Sequence, residues 1–158
     1  MKKSEEQYFR FPRRLLTSPA WSVLNINERR AFDRIMEEHQ SKSGFVNDGL
    51  VVTTRDFVQA SIHPRNVKSS MLVLAALGII RCTRNMGGSR NGRTPNAWKP
   101  TFLPSKPGAD DASHDYLEIK TPEEAKMIAE LHRFHEKRQG RMPQEQAGKK
   151  LKVAPYHR

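Results

Sequence analysis

The longest apolar run of the chain, Met71 to Leu77, is followed at once by Gly78 and then by Ile79 and Ile80. It is far too short to span a bilayer. A run of this length that ends on glycine and resumes with β-branched residues predicts a buried helix, a tight stop and a buried strand. Pro64 marks the start of that helix, so it is expected over residues 64–77 with Gly78 closing it. Whatever this chain folds into has to bury the second half of this helix and the strand after it.

Other local signals place elements around that unit. Ser18 followed by Pro19 reads as a cap and first position of a short helical turn ending near Trp21. Asn25, with Glu28 three residues on, opens the first full helix, in which Phe32, Ile35, Met36 and His39 form one buried stripe. Asn47-Asp48-Gly49 is turn chemistry leading into a short strand, Leu50-Val51-Val52. Thr53 with Asp56 begins a second, shorter helix that ends near Ser61 and Ile62. After the 64–77 helix, Ile79 to Thr83 is a strand and Asn96 to Phe102 its partner. The residues between them, Arg84 to Pro95, include Gly87, Gly88 and Gly92 with Arg84, Arg90 and Arg93, a basic hairpin loop.

The expected fold class is therefore mainly α with a small antiparallel sheet: a winged helix-turn-helix, plus a C-terminal helix. Of the 158 residues 36% are hydrophobic, which suits one core of roughly 100 residues with polar extensions. The expected organisation is a basic N-terminal arm (1–14), the winged domain (15–104), a linker (105–120), an amphipathic helix (121–139) and a disordered basic tail (140–158). In the C-terminal helix Met127, Ile128, Leu131 and Phe134 form a narrow apolar stripe, expected to dock on the domain or on a second copy in a homodimer.

Charge points to the partner. The chain carries 28 Lys and Arg against 17 Asp and Glu, a net +11. Residues 61–102 hold +7 of this with no acid at all, while residues 103–136 sum to −4 and 137–158 to +6. No acidic residue stands between Asp56 and Asp110, a gap of 53 positions where random placement would give about six. A solvated face normally mixes both signs. A polyanion, and double-stranded DNA above all, is the expected partner.

The 64–77 helix fits that partner. Val67, Met71, Leu74 and Ala75 share one face, and the polar residues of the other face lie in its first half. Such a helix can enter the major groove by its N-terminal turns and stay in the protein by its C-terminal turns. Expected contacts are Arg65 with guanine O6 and N7, Asn66 with adenine N6 and N7, and His63, Lys68 and Ser69 with base edges or phosphate. Arg81, Arg84, Arg90, Asn91, Arg93 and Lys99 are the wing candidates for backbone or minor groove. Arg10, Arg13 and Arg14 in the arm, and Lys149, Lys150 and Lys152 in the tail, would add affinity without sequence choice.

The residues Ser18-Pro19-Ala20-Trp21, Arg29-Arg30, Asp33-Arg34-Ile35-Met36, Glu38-His39, Leu50-Val51-Val52-Thr53 and Asp56-Phe57 resemble a family of small bacterial winged-helix proteins. Leu77-Gly78-Ile79-Ile80, Pro95-Asn96 and Thr101-Phe102-Leu103-Pro104 continue the match, which covers residues 15–104. The family is similar to winged-helix transcriptional repressors, including those controlling plasmid conjugation genes. The resemblance implies transcriptional regulation, most simply repression, by a cytoplasmic protein associated with the nucleoid. Segment 63–70 departs from the family's more apolar third helix, so no operator sequence transfers. Pro100 falls within the last strand and implies a bulge or an unpaired carbonyl opposite.

Other functions fit less well. A plasmid or phage replication-initiation or partition protein is the alternative, since winged helices also bind iterated origin DNA; a protein–protein interaction module is a third. No enzyme is expected. Cys82, the single cysteine, alternates inward beside Ile80 and reads as an inert thiol, and it excludes a disulfide framework. His132 and His135 share a helix face without a third ligand, so no metal is expected, and Gly87-Gly88 lacks the lysine and helix start of a phosphate loop. No cofactor is expected. The charged start, Met1 to Gln7, carries no signal-peptide pattern, so a soluble intracellular protein is expected.

Overall fold

The computed structural model describes residues 11–42, 47, 49–84 and 96–139; of Arg84 and of residues 134–139 it describes the backbone alone. Six α-helices, three short strands and one 3-10 turn are found among the described residues. In chain order they are α1 (Arg13–Leu16), α2 (Pro19–Ser22), α3 (Ile26–Ser41), β1 (Leu50–Val51), α4 (Thr54–Gln59), α5 (Pro64–Ala76), β2 (Ile80–Arg84), β3 (Ala97–Pro100), the 3-10 turn Asp115–Leu117, and α6 (Pro122–Gln139). The chain is mainly helical, with one small antiparallel sheet.

Side-chain caps set the helix starts. The Ser18 hydroxyl accepts from Trp21 N–H ahead of Pro19. Asn25 and Glu28 close a reciprocal box at α3, and Thr53 and Asp56 do the same at α4. In each box two backbone N–H groups that lack helical partners are satisfied. Helix α5 has proline at its first position, and its N-cap is His63, whose Nδ1 accepts from Arg65 N–H at 3.3 Å. It ends one residue earlier than Leu77, with Gly78 at φ +69°.

The strand order is β1-β3-β2, antiparallel throughout, so the last strand in sequence lies in the middle. Leu50 stands opposite Trp98, and Ile80 opposite Pro100. Pro100 does not create the expected irregularity, because it is the final residue of β3 and the next link is made by Thr101 N–H to the Ile79 carbonyl at 3.0 Å. The bulge of this ladder lies between Cys82 and Arg84. The Pro100 carbonyl accepts from the buried Asn47 amide at 3.0 Å.

One core lies between α3, α5 and the sheet. Phe32, Ile35 and Met36 of α3 meet Val67, Met71, Val73 and Leu74 of α5, with Leu50, Ile79, Ile80, Trp98 and Phe102 below. Phe11, Trp21, Phe32 and Phe102 form an aromatic group whose closest pair, Trp21 and Phe32, is edge-on at 5.2 Å. Edge-on pairing suits the ring quadrupoles.

Residues 105–120 do not behave as a free linker. Tyr116 is fully buried, Ile119 nearly so, and both belong to the same core. Asp111 fixes the stretch by accepting from Ser105 N–H at 2.8 Å, and His114 N–H donates to the Thr101 carbonyl. Gly78 explains the close approach: a Cβ there would lie 2.7 Å from backbone atoms of Asp115 and Tyr116. The proline, glycine and aspartate content of the stretch describes its turns, whereas two apolar side chains decide its location.

Helix α6 also docks on the domain, with Ile128 of the expected stripe but without Met127 and Leu131. Ala125 and Ala129 are fully buried and Ile128 partly so, while Met127 is 67% and Leu131 56% exposed. Small residues one turn apart let α6 approach α5 closely, and the larger ones are left outside. Arg133, on the docked side, reaches Glu28 and the Val23 carbonyl. Phe134 lies outside the residues whose side chains are described. Among the described residues no helix is long and apolar enough to cross a membrane.

Candidate nucleic-acid interface

Helices α4 and α5 are joined by Ala60, Ser61, Ile62 and His63. Ile62 is buried and anchors the turn, and its N–H donates to the Phe57 carbonyl at 3.1 Å. Ser61 takes φ +64°, a left-handed conformation that costs a non-glycine residue free energy. Its carbonyl is held by Arg30 Nη1 at 3.0 Å, which ties the turn to α3. Arg30 thus positions the turn.

The turn presents the start of α5 outward. His63, Arg65, Asn66 and Lys68 are exposed, Ser69 is half-buried, and Val67, Ser70 and Met71 face the core. The polar-to-apolar change along α5 is therefore also a change from surface to interior, although Leu72 remains 37% exposed. Ser69 Oγ donates to the Asn66 carbonyl at 3.1 Å and is partly engaged within the helix.

Elsewhere several cations lie beside carboxylates. Arg34 lies beside Glu37, Glu38 and Asp56, Lys42 beside Glu38, Arg81 against Asp115, Lys99 against Asp111 and Arg133 against Glu28. Arg65 makes no ion pair among the described residues. The acid nearest in sequence, Asp56, is engaged elsewhere: the Thr53 hydroxyl and N–H donate to it and hold its carboxyl below the usual range. α5 itself contains no carboxylate, and its N-terminal dipole adds positive potential.

Two wing candidates fall away from this surface. Arg81 Nη2 lies 2.6 Å from Asp115 and Lys99 Nζ 3.0 Å from Asp111, so the acidic stretch 105–120 compensates both. Hydrogen bonding from Ser105, and then from Lys99, holds the Asp111 carboxyl far below its ordinary range. In the arm, Arg13 is exposed, and Arg14 Nη2 donates to His114 Nε2 at 2.7 Å, a structural engagement. Arg10, Arg90, Asn91, Arg93, Lys149, Lys150 and Lys152 lie outside the described residues, as does the side chain of Arg84.

Sequence reasoning missed a group on α4. Thr53, Thr54 and Arg55 are exposed at the start of that helix, and a helix preceding a groove-reading helix commonly crosses the phosphate backbone. The signal was present in the cap Thr53, whose side chain was read for its role in starting the helix alone. Cys82 is half-buried, bordering an open groove with Arg81, Thr83, Lys99 and Asp111. Among the described residues no cluster of three or more metal-ligating side chains occurs.

The surface offers a guanidinium, a side-chain amide, an ammonium and an imidazole on two turns of one helix. Those groups suit hydrogen bonding to base edges and to phosphate oxygens. Comparison with protein-family models, with curated proteins and with solved structures gives no match to this chain.

Proposed function

We propose that the chain is a winged helix-turn-helix protein that binds double-stranded DNA in a sequence-specific manner and regulates transcription, as a repressor. The observation that carries this reading is the start of α5: exposed cationic and amide side chains, no carboxylate on the helix, and Arg65 without an acidic partner among the described residues, whereas Arg81, Lys99 and Arg133 are matched by Asp115, Asp111 and Glu28. The order helix, strand, helix, turn, helix, strand, strand, with β3 central, supports the fold reading.

In this reading α5 enters the major groove by residues 63–69, with Arg65 bidentate to guanine and Asn66 to adenine. Thr53, Thr54 and Arg55 lie along the phosphates, and the basic segment between β2 and β3 follows the backbone or adjacent minor groove. The protein would work in the cytoplasm on nucleoid DNA.

The test is fluorescence anisotropy with labelled duplexes at physiological salt, comparing promoter DNA next to the gene encoding this chain with random duplex. Binding at least about a thousandfold tighter to the promoter is expected for a specific regulator. Equal affinity for both would overturn specificity, and no binding to either would overturn the DNA reading.

A further inference from the structure

Arg81 of β2 and Lys99 of β3 stand directly opposite each other in the antiparallel ladder. Residues so placed project from one face of a sheet with Cβ atoms about 5 Å apart, and like charges there repel. None of the three strands contains a carboxylate to offset them. Both offsetting acids come from the stretch 105–120: Asp115 reaches Arg81 at 2.6 Å and Asp111 reaches Lys99 at 3.0 Å. Asp111 is fixed by more than its cation, since its other carboxylate oxygen accepts from Ser105 N–H. Asp115 is fixed by the chain itself, because the next residue, Tyr116, is fully buried. Backbone and core therefore hold two carboxylates over two cations. A carboxylate offers those cations what a phosphate offers, anionic oxygens at hydrogen-bond distance.

We propose that Asp111 and Asp115 form an autoinhibitory contact: they occupy the Arg81–Lys99 pair in the place that DNA phosphates would take, and so hold down the affinity of the chain for any duplex. The inference rests on the DNA-binding reading and concerns its regulation. Left uncovered, the two cations would add phosphate contacts that carry no sequence information. Arg81 keeps 58% of its side chain exposed within its pair, so a phosphate oxygen can reach it once the carboxylate is neutral. Asp111 is itself 44% exposed, which leaves its side of the contact open to exchange with a competing anion. With both cations covered, the uncompensated start of α5 is left to choose the site.

Fluorescence anisotropy of the full chain with a random-sequence duplex, over a salt series, reads the contact. Asp111→Asn with Asp115→Asn keeps both side-chain shapes and the acceptor for Ser105 N–H. This variant is expected to bind about tenfold tighter, with a salt slope steeper by about 0.9 for each cation released. Asp111→Asn alone leaves the neighbour of Tyr116 untouched and should gain about threefold. Glu118→Gln with Glu123→Gln removes the same charge from exposed carboxylates that make no ion pair among the described residues, and should change affinity by about twofold or less. Adding Arg81→Gln and Lys99→Gln to the asparagine pair should return the wild-type affinity. A gain matched by the glutamine control, or one that survives loss of the two cations, overturns the proposal. So does unchanged affinity in an asparagine variant whose circular-dichroism melt shows it folded. A wild-type chain that binds no duplex overturns the DNA-binding reading, and the inference falls with it only if the asparagine variants bind none either.

Discussion

Arg133 of α6 and Glu28 of α3 form a two-pronged ion pair, with Nε at 2.7 Å from one carboxylate oxygen and Nη2 at 2.6 Å from the other. Glu28 is 1% exposed and accepts at the same time from the backbone N–H and side-chain amide of Asn25. One buried carboxylate therefore both starts α3 and holds α6. Removing the guanidinium by Arg133→Met leaves that charge buried with two amide donors in place of four. A loss of about 2–4 kcal/mol is expected in urea unfolding. A double-mutant cycle with Glu28→Gln should return a coupling of about 1–3 kcal/mol, and additivity would mean that the pair holds nothing.

Two backbone positions should respond in opposite directions. Gly78→Ala meets both a left-handed φ and backbone atoms at 2.7 Å, and should destabilise by about 3 kcal/mol or more. Ser61→Gly removes left-handed strain from an exposed residue and should stabilise by about 0.5–1 kcal/mol after the extra freedom of the unfolded chain is counted. Thermal melts of the two variants against wild type check both signs.

DNA binding should discriminate among arginines and lysines that composition treats alike. Arg65→Ala is expected to cost about 1–3 kcal/mol on the preferred duplex and to relax base preference at one position. Arg81→Ala and Lys99→Ala should change affinity little, because Asp115 and Asp111 already compensate those cations. Anisotropy titrations in which all three variants lose affinity equally would show that net charge, and not the α5 surface, binds the duplex.

Stability should fall in mild acid. His39 and His114 both hold protons less readily than a free imidazole at 6.5, first because burial disfavours the cation and, for His114, also because Arg14 lies against it. Across the window between the lowered native values and 6.5, the unfolded chain binds more protons than the folded one. Stability therefore rises with pH through that window, levels off above about 6.5, and is lost as pH falls below it. Melting temperatures between about pH 5 and pH 7.5 should show this slope, and it should flatten in a His39→Gln, His114→Gln double variant.

What could be read in the sequence was local. The boxes Asn25–Glu28 and Thr53–Asp56, the Ser18 cap and the Gly78 stop each connect residues three or four apart, so spacing alone exposes them. The outward polar half of α5 was legible for the same reason. Arg133 and Glu28 are 105 positions apart, and no pattern along the chain joins them. Helix α6 misled for a different reason: size ranks Met127 and Leu131 above Ala125 and Ala129, whereas close helix contact selects the alanines. The stretch 105–120 reads as a linker because the partners of Asp111 and Asp115, Lys99 and Arg81, come earlier in the chain and on other elements.

The burial of Tyr116 and Ile119 behind α5 bears on how the molecule is made and how it is broken. On the ribosome, the residues of α3 to α5 and of all three strands emerge before Tyr116 and Ile119, so the surface at 63–69 gains its full backing only after them. After folding, Lys106, Pro107 and Gly108 remain exposed. A protease cutting there would leave two pieces held by Tyr116, Ile119, Ala125 and Ala129 and by the Arg81–Asp115, Lys99–Asp111 and Arg133–Glu28 pairs, and their separation would release α5 from the support that orients it.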